Sequence, residues 1–206
     1  MPKRRGRPPK GRDTDTRALL VRRGVELLTA QGWHATGIDE VLSSVGVPKG
    51  SFYHWFESKE AFGHAVLDAY ADYFAQKLDR WLGDASIAPL DRIAAFVNDA
   101  GAGMRRHDFE RGCIVGNLGL EVMVLPDGFR DRLRETLADW QRRVARCLRA
   151  AQAAGEIGAE EKPAELAAFF WTGWEGAVLR ARLERSEAPL RLFHEGFRRL
   201  VTSRSV

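Results

Sequence analysis

Apolar residues recur every three or four positions along most of this chain, which is the spacing of helices that bury one face. Prolines and glycines interrupt the pattern at intervals and mark where one helix ends and the next begins. The predicted helices cover residues 14–31, two short segments within 36–56, and residues 58–82, 89–106, 113–123, 129–154, 163–184 and 189–202. No segment alternates between apolar and polar residues as a half-buried strand does. The sequence therefore predicts an all-α protein of about nine helices.

The segment TGIDEVLSSVGVPKGSFYHWF, residues 36–56, has the pattern of two short helices joined by a tight turn. Thr36 is predicted to cap the first helix, with Asp39 completing a capping box. Gly46 is predicted to end it, because glycine enters the left-handed conformation without strain. Pro48 suits the first turn of the second helix, where a missing N–H costs nothing. Two short helices around a glycine turn are typical of the helix-turn-helix motif, whose second helix enters the major groove of DNA.

The second short helix has one apolar side and one small or polar side. Phe52 and Phe56 lie four residues apart and are predicted to face inward. The residues left facing outward are Lys49, Gly50, Ser51, Tyr53 and His54. Ser58 is predicted to cap the next helix, which is long enough to act as a lever between a DNA-binding head and the rest of the protein. The expected domains are a disordered basic arm at 1–13, a helix-turn-helix head at 14–60, and a helical body at 61–206.

The positive charge of the chain is concentrated at its N-terminus. The formal net charge is +4, and residues 1–12 carry six basic side chains and no acidic one. Residues 13–60 carry five basic and seven acidic side chains. The head therefore has little positive charge of its own, so its affinity for DNA phosphates is expected to depend on the arm and a few placed groups.

Two interpretations of the arm remain open. Its prolines, high charge and lack of periodicity predict disorder in the free protein. It could be a solubilising tail, or it could be a minor-groove arm, because Arg5-Gly6-Arg7-Pro8 resembles the core of an AT-hook. An extended backbone fits a narrow groove, and its negative potential attracts arginine.

The sequence contains no feature that predicts export or membrane insertion. No apolar run reaches the roughly 18 residues that a membrane span needs. The basic N-terminus lacks the apolar segment of a signal peptide. Cys113 and Cys147 are therefore expected to be free thiols in a reducing cytoplasm. We expect a cytoplasmic protein with no membrane partner.

Residues 32–62, GWHATGIDEVLSSVGVPKGSFYHWFESKEAF, resemble the TetR family of bacterial transcriptional repressors. The resemblance implies a three-helix head on a six-helix ligand-binding body. It also implies a homodimer, formed through the last two helices, that binds double-stranded DNA at a palindromic operator. The chain departs from the family at Gly37, where Ser or Thr is common, so one hydroxyl that contacts a phosphate is lost.

The same resemblance indicates which residues of the arm and head contact DNA. The expected DNA-binding residues are Arg5, Arg7, Thr36, Lys49, Gly50, Ser51, Tyr53, His54 and Lys59. The two arginines would enter the minor groove. The two lysines, Tyr53 and His54 would bind phosphates. Thr36 would offer a phosphate its hydroxyl and a helix N-terminus. Gly50 and Ser51 are small enough for close approach, and Ser51 and Lys49 are the expected base readers. Alternatively, Tyr53 and His54 only solvate a surface helix.

Two segments of the body also resemble known regulators. RRHDFERGCIVGNLGLE, residues 105–121, and FFWTGWEGAVLRARLE, residues 169–184, are similar to the acrylate-responsive members of the family. The RGC-x-VGN stretch is also similar to the N-ethylmaleimide-responsive repressors, which sense electrophiles and oxidants. The resemblance implies a small inducer, either an acrylate-like acid or an electrophile.

Cys113 and Asn117 are the candidate ligand-binding residues in the first of these segments. A helix start and the neighbouring Arg111 would favour the thiolate form of Cys113. Asn117 lies four residues later and shares its helix face. The alternative is that Cys113 is a small buried hydrophobe, as most free cysteines are.

Trp171, Trp174 and Glu175 are the candidates in the second segment. The two tryptophans either wall a small pocket or belong to the core. Glu175 lies on an apolar helix, so it needs an arginine or a ligand group as its partner. Arg111 and Arg180 are candidate cations for an acidic ligand, but the sequence singles out neither.

These features predict a ligand-responsive repressor that needs no cofactor or metal. One alternative is a redox or electrophile sensor that acts through covalent modification of Cys113. Another is a thiol-dependent enzyme with a DNA-binding head, and a third is a dimerising module without a ligand. The chain has no P-loop, no dinucleotide fingerprint and no metal-spaced His/Cys cluster, so we expect no enzymatic activity.

Overall fold

The computed structural model describes the backbone of residues 10–202 and the side chains of residues 16–202. The helices are α1 Lys10–Gln31, α2 Ile38–Ser44, α3 Lys49–Trp55, α4 Lys59–Leu82, α5 Pro89–Arg106, α6 Ile114–Leu120, α7 Phe129–Ala153, α8 Pro163–Glu184 and α9 Ala188–Thr202. Over these residues the chain forms nine helices and no strand, which confirms the all-α prediction. None of these helices combines the length and apolar character needed to cross a bilayer.

The first helix begins four residues earlier than predicted. Residues 10–13 were assigned to the arm but are helical, because no proline interrupts the chain after Pro9 and charged residues such as Lys and Arg are good helix formers. The predicted minor-groove residues, Arg5 and Arg7, lie outside the described residues.

The turn between α2 and α3 matches the prediction, but the cap of α2 does not. Gly46 has a φ of +67°, the left-handed conformation expected of the residue that ends α2. Gly37, not Thr36, occupies the N-cap position, and no side chain caps this helix. The prediction that Thr36 is the cap is wrong, because its buried hydroxyl donates to the carbonyl oxygen of Gly32 at 2.6 Å. Asp39 completes no capping box and instead pairs with Lys49.

The head does not end at residue 60, because α4 contributes to its core. Phe52 and Phe56 are buried, as predicted, and both pack against Phe62 of α4 with ring centroids 5.5 and 5.0 Å apart. Ser58 caps α4 by accepting a hydrogen bond from the amide of Ala61, which confirms that prediction. The long fourth helix therefore belongs to the head and to the body at once.

The body is built around an aromatic core between α4, α5, α7 and α8. Trp140 of α7 packs on Phe74 of α4, with ring centroids 4.4 Å apart, and on Trp171 of α8, at 5.0 Å. Helix α9 packs on α8 and α5. Trp140 and Trp171 are almost completely buried, and these large rings help to fix how α4 lies against α7 and α8.

Candidate DNA interface and ligand cavity

Helix α3 presents a small and polar surface, as the sequence predicted. Lys49, Gly50, Tyr53 and His54 are exposed, and Ser51 is half-buried. A side chain at residue 50 would meet no atom within 4 Å, so the backbone of α3 is open to close approach there. The ammonium of Lys49 lies 2.8 Å from Asp39, but both side chains are largely exposed. An exposed ion pair of this kind contributes little, so DNA phosphates can compete for the lysine.

Two of the expected phosphate contacts have internal partners. Lys59 donates to the carbonyl oxygen of Trp33 at 3.2 Å, and its ammonium lies 4.3 Å from the centre of the Trp33 ring. Partial burial lowers the pKa of Lys59. The hydroxyl of Thr36 is directed into the protein. Both residues stabilise the connection between α1 and α2. The ammonium of Lys59 nevertheless remains partly exposed and could still reach a phosphate, whereas the Thr36 hydroxyl is buried.

A cavity of about 190 Å³ lies between α6 and α8. Its lining residues are Cys113, Gly116, Asn117, Leu120, Glu175, Gly176, Val178, Leu179 and Arg182. Three of the five candidate ligand-binding residues therefore meet at one cavity, although they come from segments far apart in the chain.

The two candidate tryptophans do not line this cavity. Trp171 packs against Trp140, while Trp174 packs against Phe96 and Phe170 with ring centroids 5.1 and 5.8 Å away. Both side chains are buried in the aromatic core, so the core interpretation replaces that of a tryptophan wall. The cavity lies on the neighbouring face of α8, which carries Glu175 and Val178.

Glu175 has no cationic partner among the described residues. The Cys113 thiol is within hydrogen-bond reach of its carboxyl group, and the Oε1 atom is buried without a partner. Burial raises the pKa of Glu175 to about 7. A Cβ at residue 116 would touch this carboxyl group, so a larger residue there would force the Glu175 side chain to shift. The cavity thus contains a carboxyl group that is about half protonated near neutral pH.

Cys113 is not held as a thiolate. Burial, and then the nearby carboxyl group of Glu175, raise the pKa of the Cys113 thiol well above its usual range. Arg111, which was expected to stabilise the thiolate, lies 3.6 Å from Glu26 instead. The expectation of an activated thiolate is therefore wrong. The hydroxyl of Tyr70 also contacts this thiol. This contact could not be predicted from the sequence, because Tyr70 fits the apolar seam of α4.

Arg182 is the cation of the cavity, and sequence reasoning missed it. One guanidinium nitrogen donates to the Asn117 side-chain oxygen at 3.0 Å. Another donates to the carbonyl oxygens of Ala30 at 2.7 Å and Glu110 at 3.0 Å. The candidate Arg180 is exposed and pairs with Glu184 outside the cavity. Arg182 could have been predicted from its position, because it lies seven residues after Glu175 and therefore on the same face of α8.

Asn117 and Arg182 join the cavity to the end of the first helix of the head. The amide of Asn117 donates to the carbonyl oxygens of Leu28 and Thr29 at 3.0 and 2.8 Å, beside the bond from Arg182 to Ala30. The last four carbonyl groups of a helix have no partner within that helix, so donors from elsewhere must satisfy them. Here these donors come from the wall of the cavity.

Glu121 completes this connection between head and body. Its carboxylate accepts hydrogen bonds from the backbone amides of Trp33 and His34, at 3.1 and 2.7 Å. The residues that follow α6 therefore bind the loop after α1, while Asn117 within α6 binds the end of α1 itself. Hydrogen bonds therefore join the wall of the cavity and the end of α6 to the head.

A helix-turn-helix head fixed to a helical body that contains a cavity defines a DNA-binding regulator with a ligand-binding domain. Comparison with known proteins identifies the family. Residues 20–66 match the bacterial regulatory proteins of the TetR family, and residues 89–197 match the tetracyclin repressor-like C-terminal domain. The chain belongs to the TetR family of transcriptional repressors, and repression that responds to a ligand fits this family.

Several characterised regulators resemble the chain over most of its length. It is 49% identical to the transcriptional regulator AcuR of Cereibacter sphaeroides, over 98% of this chain and 93% of that protein. It is 33% identical to the repressor DhaR of Mycobacterium sp. strain GP1, over 87% of this chain and 89% of that protein. It is 30% identical to the repressor NemR of Escherichia coli K12, over 88% of this chain and 91% of that protein. These relatives are transcriptional regulators.

Solved structures share the whole fold. A regulatory protein TetR from Rhodobacter sphaeroides is 50% identical and superposes with a TM-score of 0.86, over 88% of this chain and 96% of that one. The reduced form of Escherichia coli NemR is 29% identical and superposes with a TM-score of 0.78, over 89% of this chain and 95% of that one.

Proposed function

We propose that this protein is a homodimeric repressor that leaves a palindromic operator when a small carboxylate such as acrylate enters the cavity between α6 and α8. One observation carries the proposal: Arg182 and Asn117 line the cavity and also bind the last carbonyl groups of α1. The same side chains thus face the ligand and hold the head.

The chemistry of the cavity suits a small acid. The planar guanidinium of Arg182 binds a carboxylate through two parallel hydrogen bonds, and such charge-assisted bonds are among the strongest in proteins. Glu175 would repel a second carboxylate if it were fully ionised. Because its pKa is about 7, its protonated form can donate a hydrogen bond to the ligand instead. Val178 and Leu179 offer apolar contacts to a short hydrocarbon chain.

Ligand binding would release the head through competition for Arg182. The bonds that this guanidinium donates to Ala30 and Glu110 compete with bonds to a ligand carboxylate. When the carbonyl of Ala30 loses its donor, the end of α1 is free to shift relative to α6. Two heads on an operator must hold their recognition helices about 34 Å apart. A ligand that favours the shifted state therefore lowers operator affinity.

The DNA contacts in this proposal come from α3, the start of α4 and the arm. Lys49, Tyr53 and His54 would bind phosphates, and Gly50 and Ser51 would allow α3 to approach base edges. Lys59 would add a weaker phosphate contact, because its ammonium also donates a hydrogen bond to the carbonyl oxygen of Trp33. The contribution expected of Thr36 is the least supported, since its hydroxyl is already donated to Gly32.

Operator release by small acids and electrophiles tests the proposal. DNA from upstream of the gene for this protein would be labelled, and its binding followed by fluorescence anisotropy. Acrylate and its saturated counterpart propionate are expected to release the DNA reversibly, while the neutral acrylamide does not. If no carboxylate releases the DNA, the proposal is wrong.

A second function, covalent sensing, is supported by the position of Cys113 in the same cavity beside a carboxyl group. Its sulfur would bond to the β-carbon of an unsaturated electrophile, while the thiol proton passes through Glu175 to the α-carbon. Against this, burial raises the pKa of the thiol, which slows such an addition. Release by acrylamide or N-ethylmaleimide that dialysis fails to reverse, and that Cys113→Ser abolishes, would establish covalent sensing.

Removing the arm is expected to weaken operator binding and reduce its salt dependence. Deletion of residues 1–9 removes Arg5 and Arg7 together with Lys3 and Arg4, and each lost phosphate contact lowers the slope of log affinity against log salt by about 0.9. We therefore expect the slope to fall by up to roughly four units in anisotropy titrations between 50 and 300 mM salt. Replacing both arginines with lysine keeps the charge and serves as the control. An unchanged slope after the deletion would show that the arm does not touch DNA.

A further inference from the structure

A second cavity, which we call the distal cavity, lies near the end of α4 that is remote from the head. It lies between α4, the start of α5 and the middle of α7, and its volume is about 320 Å³. Its lining residues are Asp79, Leu82, Gly83, Arg92, Arg143, Arg146 and Cys147. An α-helix rises about 1.5 Å per residue, so Asp79 lies about 25 Å along α4 from Phe62, which packs in the head. The distal cavity is therefore remote from the DNA interface, and it shares no lining residue with the cavity between α6 and α8.

The distal cavity has an excess of positive charge. Arg143 and Arg146 lie three residues apart on one face of α7, and Arg92 comes from α5. Asp79 is the one carboxylate among the described lining residues. Asp139, which does not line the cavity, also binds Arg143, at 2.6 Å. Three guanidinium groups are thus opposed by two carboxylates, so one positive charge remains even when both carboxylates are counted.

Two of these arginines keep donors that the described part of the chain does not use. Arg92 donates through Nε to the carbonyl oxygen of Ile87 at 2.8 Å and through Nη1 to that of Leu82 at 3.4 Å, and it forms no ion pair with a described carboxylate. Arg146 has one partner among the described residues, the carboxylate of Asp79 at 3.4 Å. A guanidinium group carries five N–H donors, so both arginines retain donors for a ligand.

The distal cavity has a buried floor and an exposed rim. Leu82 and Cys147 are buried, and the side chain of Arg143 is 18% exposed. The side chains of Asp79 and Arg146 are each 56% exposed. A ligand can therefore enter from solvent and reach Arg143, where partial burial reduces the screening of its charge by salt.

The number of arginines indicates the class of ligand. Each planar guanidinium group can bind a phosphate or carboxylate through two parallel, charge-assisted hydrogen bonds. A monocarboxylate matches one arginine, whereas an anion with two or more charges can bind several at once. We propose that the distal cavity binds a small anion that carries at least two negative charges, as phosphate esters and dicarboxylates do. This site is independent of the proposed inducer site.

Asp79 competes with such an anion for the same donors. Its carboxylate forms ion pairs with Arg143 and with Arg146. A bound anion would take hydrogen bonds from both guanidinium groups, so Asp79 lowers its affinity. Removing the carboxylate is therefore expected to strengthen anion binding. Purely structural ion pairs would give no such gain.

Calorimetric titration of the full-length protein with inorganic pyrophosphate and with succinate tests the site. Ionic strength is held constant with sodium chloride, so that general screening does not change during the titration. We expect saturable binding of at least one of the two anions, at one per chain, and the tighter one identifies the phosphate or the dicarboxylate class. Acetate, which carries one charge, is expected to bind at least about tenfold more weakly, because it engages fewer arginines.

Variants of the lining residues are expected to change the affinity in opposite directions. Arg92→Gln and Arg146→Gln each remove a charged donor, so the affinity should fall about tenfold or more. Asp79→Asn should raise it. Arg149→Gln removes an exposed arginine of α7 that does not line the cavity, so it is the matched control. Circular dichroism checks that each variant is folded.

Cys147 reports where the anion binds. Its thiol lines the distal cavity and donates to the carbonyl oxygen of Pro89 at 3.2 Å, whereas Cys113 lines the cavity between α6 and α8. Iodoacetamide is uncharged and does not compete for the arginines. Mass spectrometry after labelling is expected to show that the bound anion slows the modification of Cys147 severalfold relative to that of Cys113.

Four results would each overturn the proposal. These are the absence of saturable binding by either anion, equal affinity for acetate, an equal loss of affinity in Arg149→Gln, and an unchanged ratio of the two labelling rates. Weaker binding by a folded Asp79→Asn would also contradict it, because that carboxylate would then support the anion. Release of operator DNA by acrylate is measured separately, so failure of the inducer assignment does not affect these results.

Discussion

Replacing Arg182 with methionine is expected to weaken operator binding in the absence of ligand and to make the remaining binding much less sensitive to acrylate. The methionine keeps much of the apolar stem but removes the guanidinium, which provides the cation of the cavity and the donor to Ala30. Hydrogen bonds that involve a charged group contribute about 1.5–3 kcal/mol, so the acrylate concentration that releases half of the DNA should rise by roughly 10- to 150-fold. Anisotropy titrations of the operator complex with acrylate measure this shift.

Two further variants show whether the effect belongs to the guanidinium at this position. Arg180→Met changes an arginine of the same helix that pairs only with Glu184 on the surface, so it should respond to acrylate like the wild type. Arg182→Lys keeps the charge without the planar fork and should give an intermediate response. Release of Arg182→Met at the wild-type acrylate concentration would refute the assignment of Arg182 as the carboxylate anchor.

Replacing Glu175 with glutamine is expected to stabilise the protein at pH 8 but not at pH 5. The pKa of Glu175 is about 7 in the folded protein and about 4.5 when unperturbed. Between these values the folded state keeps a proton that the unfolded state has lost, so wild-type stability falls as pH rises through this window. Above pH 7 the wild type carries the whole cost of a buried charge, and glutamine removes it.

Urea unfolding of both proteins at pH 5 and pH 8 measures this effect. Glutamine is expected to raise the free energy of unfolding relative to wild type by more at pH 8 than at pH 5. The pKa shift sets this extra stabilisation at roughly 3 kcal/mol at most. Protein concentration must be held constant, because assembly also stabilises the folded chain. Glu165→Gln, at an exposed carboxylate near Lys162, is the matched control. An equal difference at both pH values would mean that Glu175 does not titrate in this window.

The covalent and the reversible functions make different demands on the same cavity. A covalent sensor needs a thiolate, and Cys113 is held as a neutral thiol between Tyr70 and Glu175. A reversible sensor of acids needs a cation, and Arg182 supplies one at the cavity wall. The geometry therefore supports reversible binding of a carboxylate more strongly than covalent modification.

The amino-acid sequence by itself determined the helices and the class of protein. Gly46 ends α2 and Ser58 caps α4 because turns and caps depend on residues only a few positions apart. Phe52 and Phe56 are buried because their spacing puts them on one face of α3. The motif at residues 32–62 indicated the family for the same reason, since its pattern is local.

The tertiary structure alone decided which side chains make the site. Trp171 and Glu175 lie one turn apart on α8, yet one belongs to the aromatic core and the other to the cavity. Cys113 has Tyr70 and Glu175 as neighbours, which local spacing does not reveal. Arg182 binds Ala30 across 152 positions of sequence. Helical periodicity reports which face of a helix is buried, whereas the partner on that face depends on how distant helices pack.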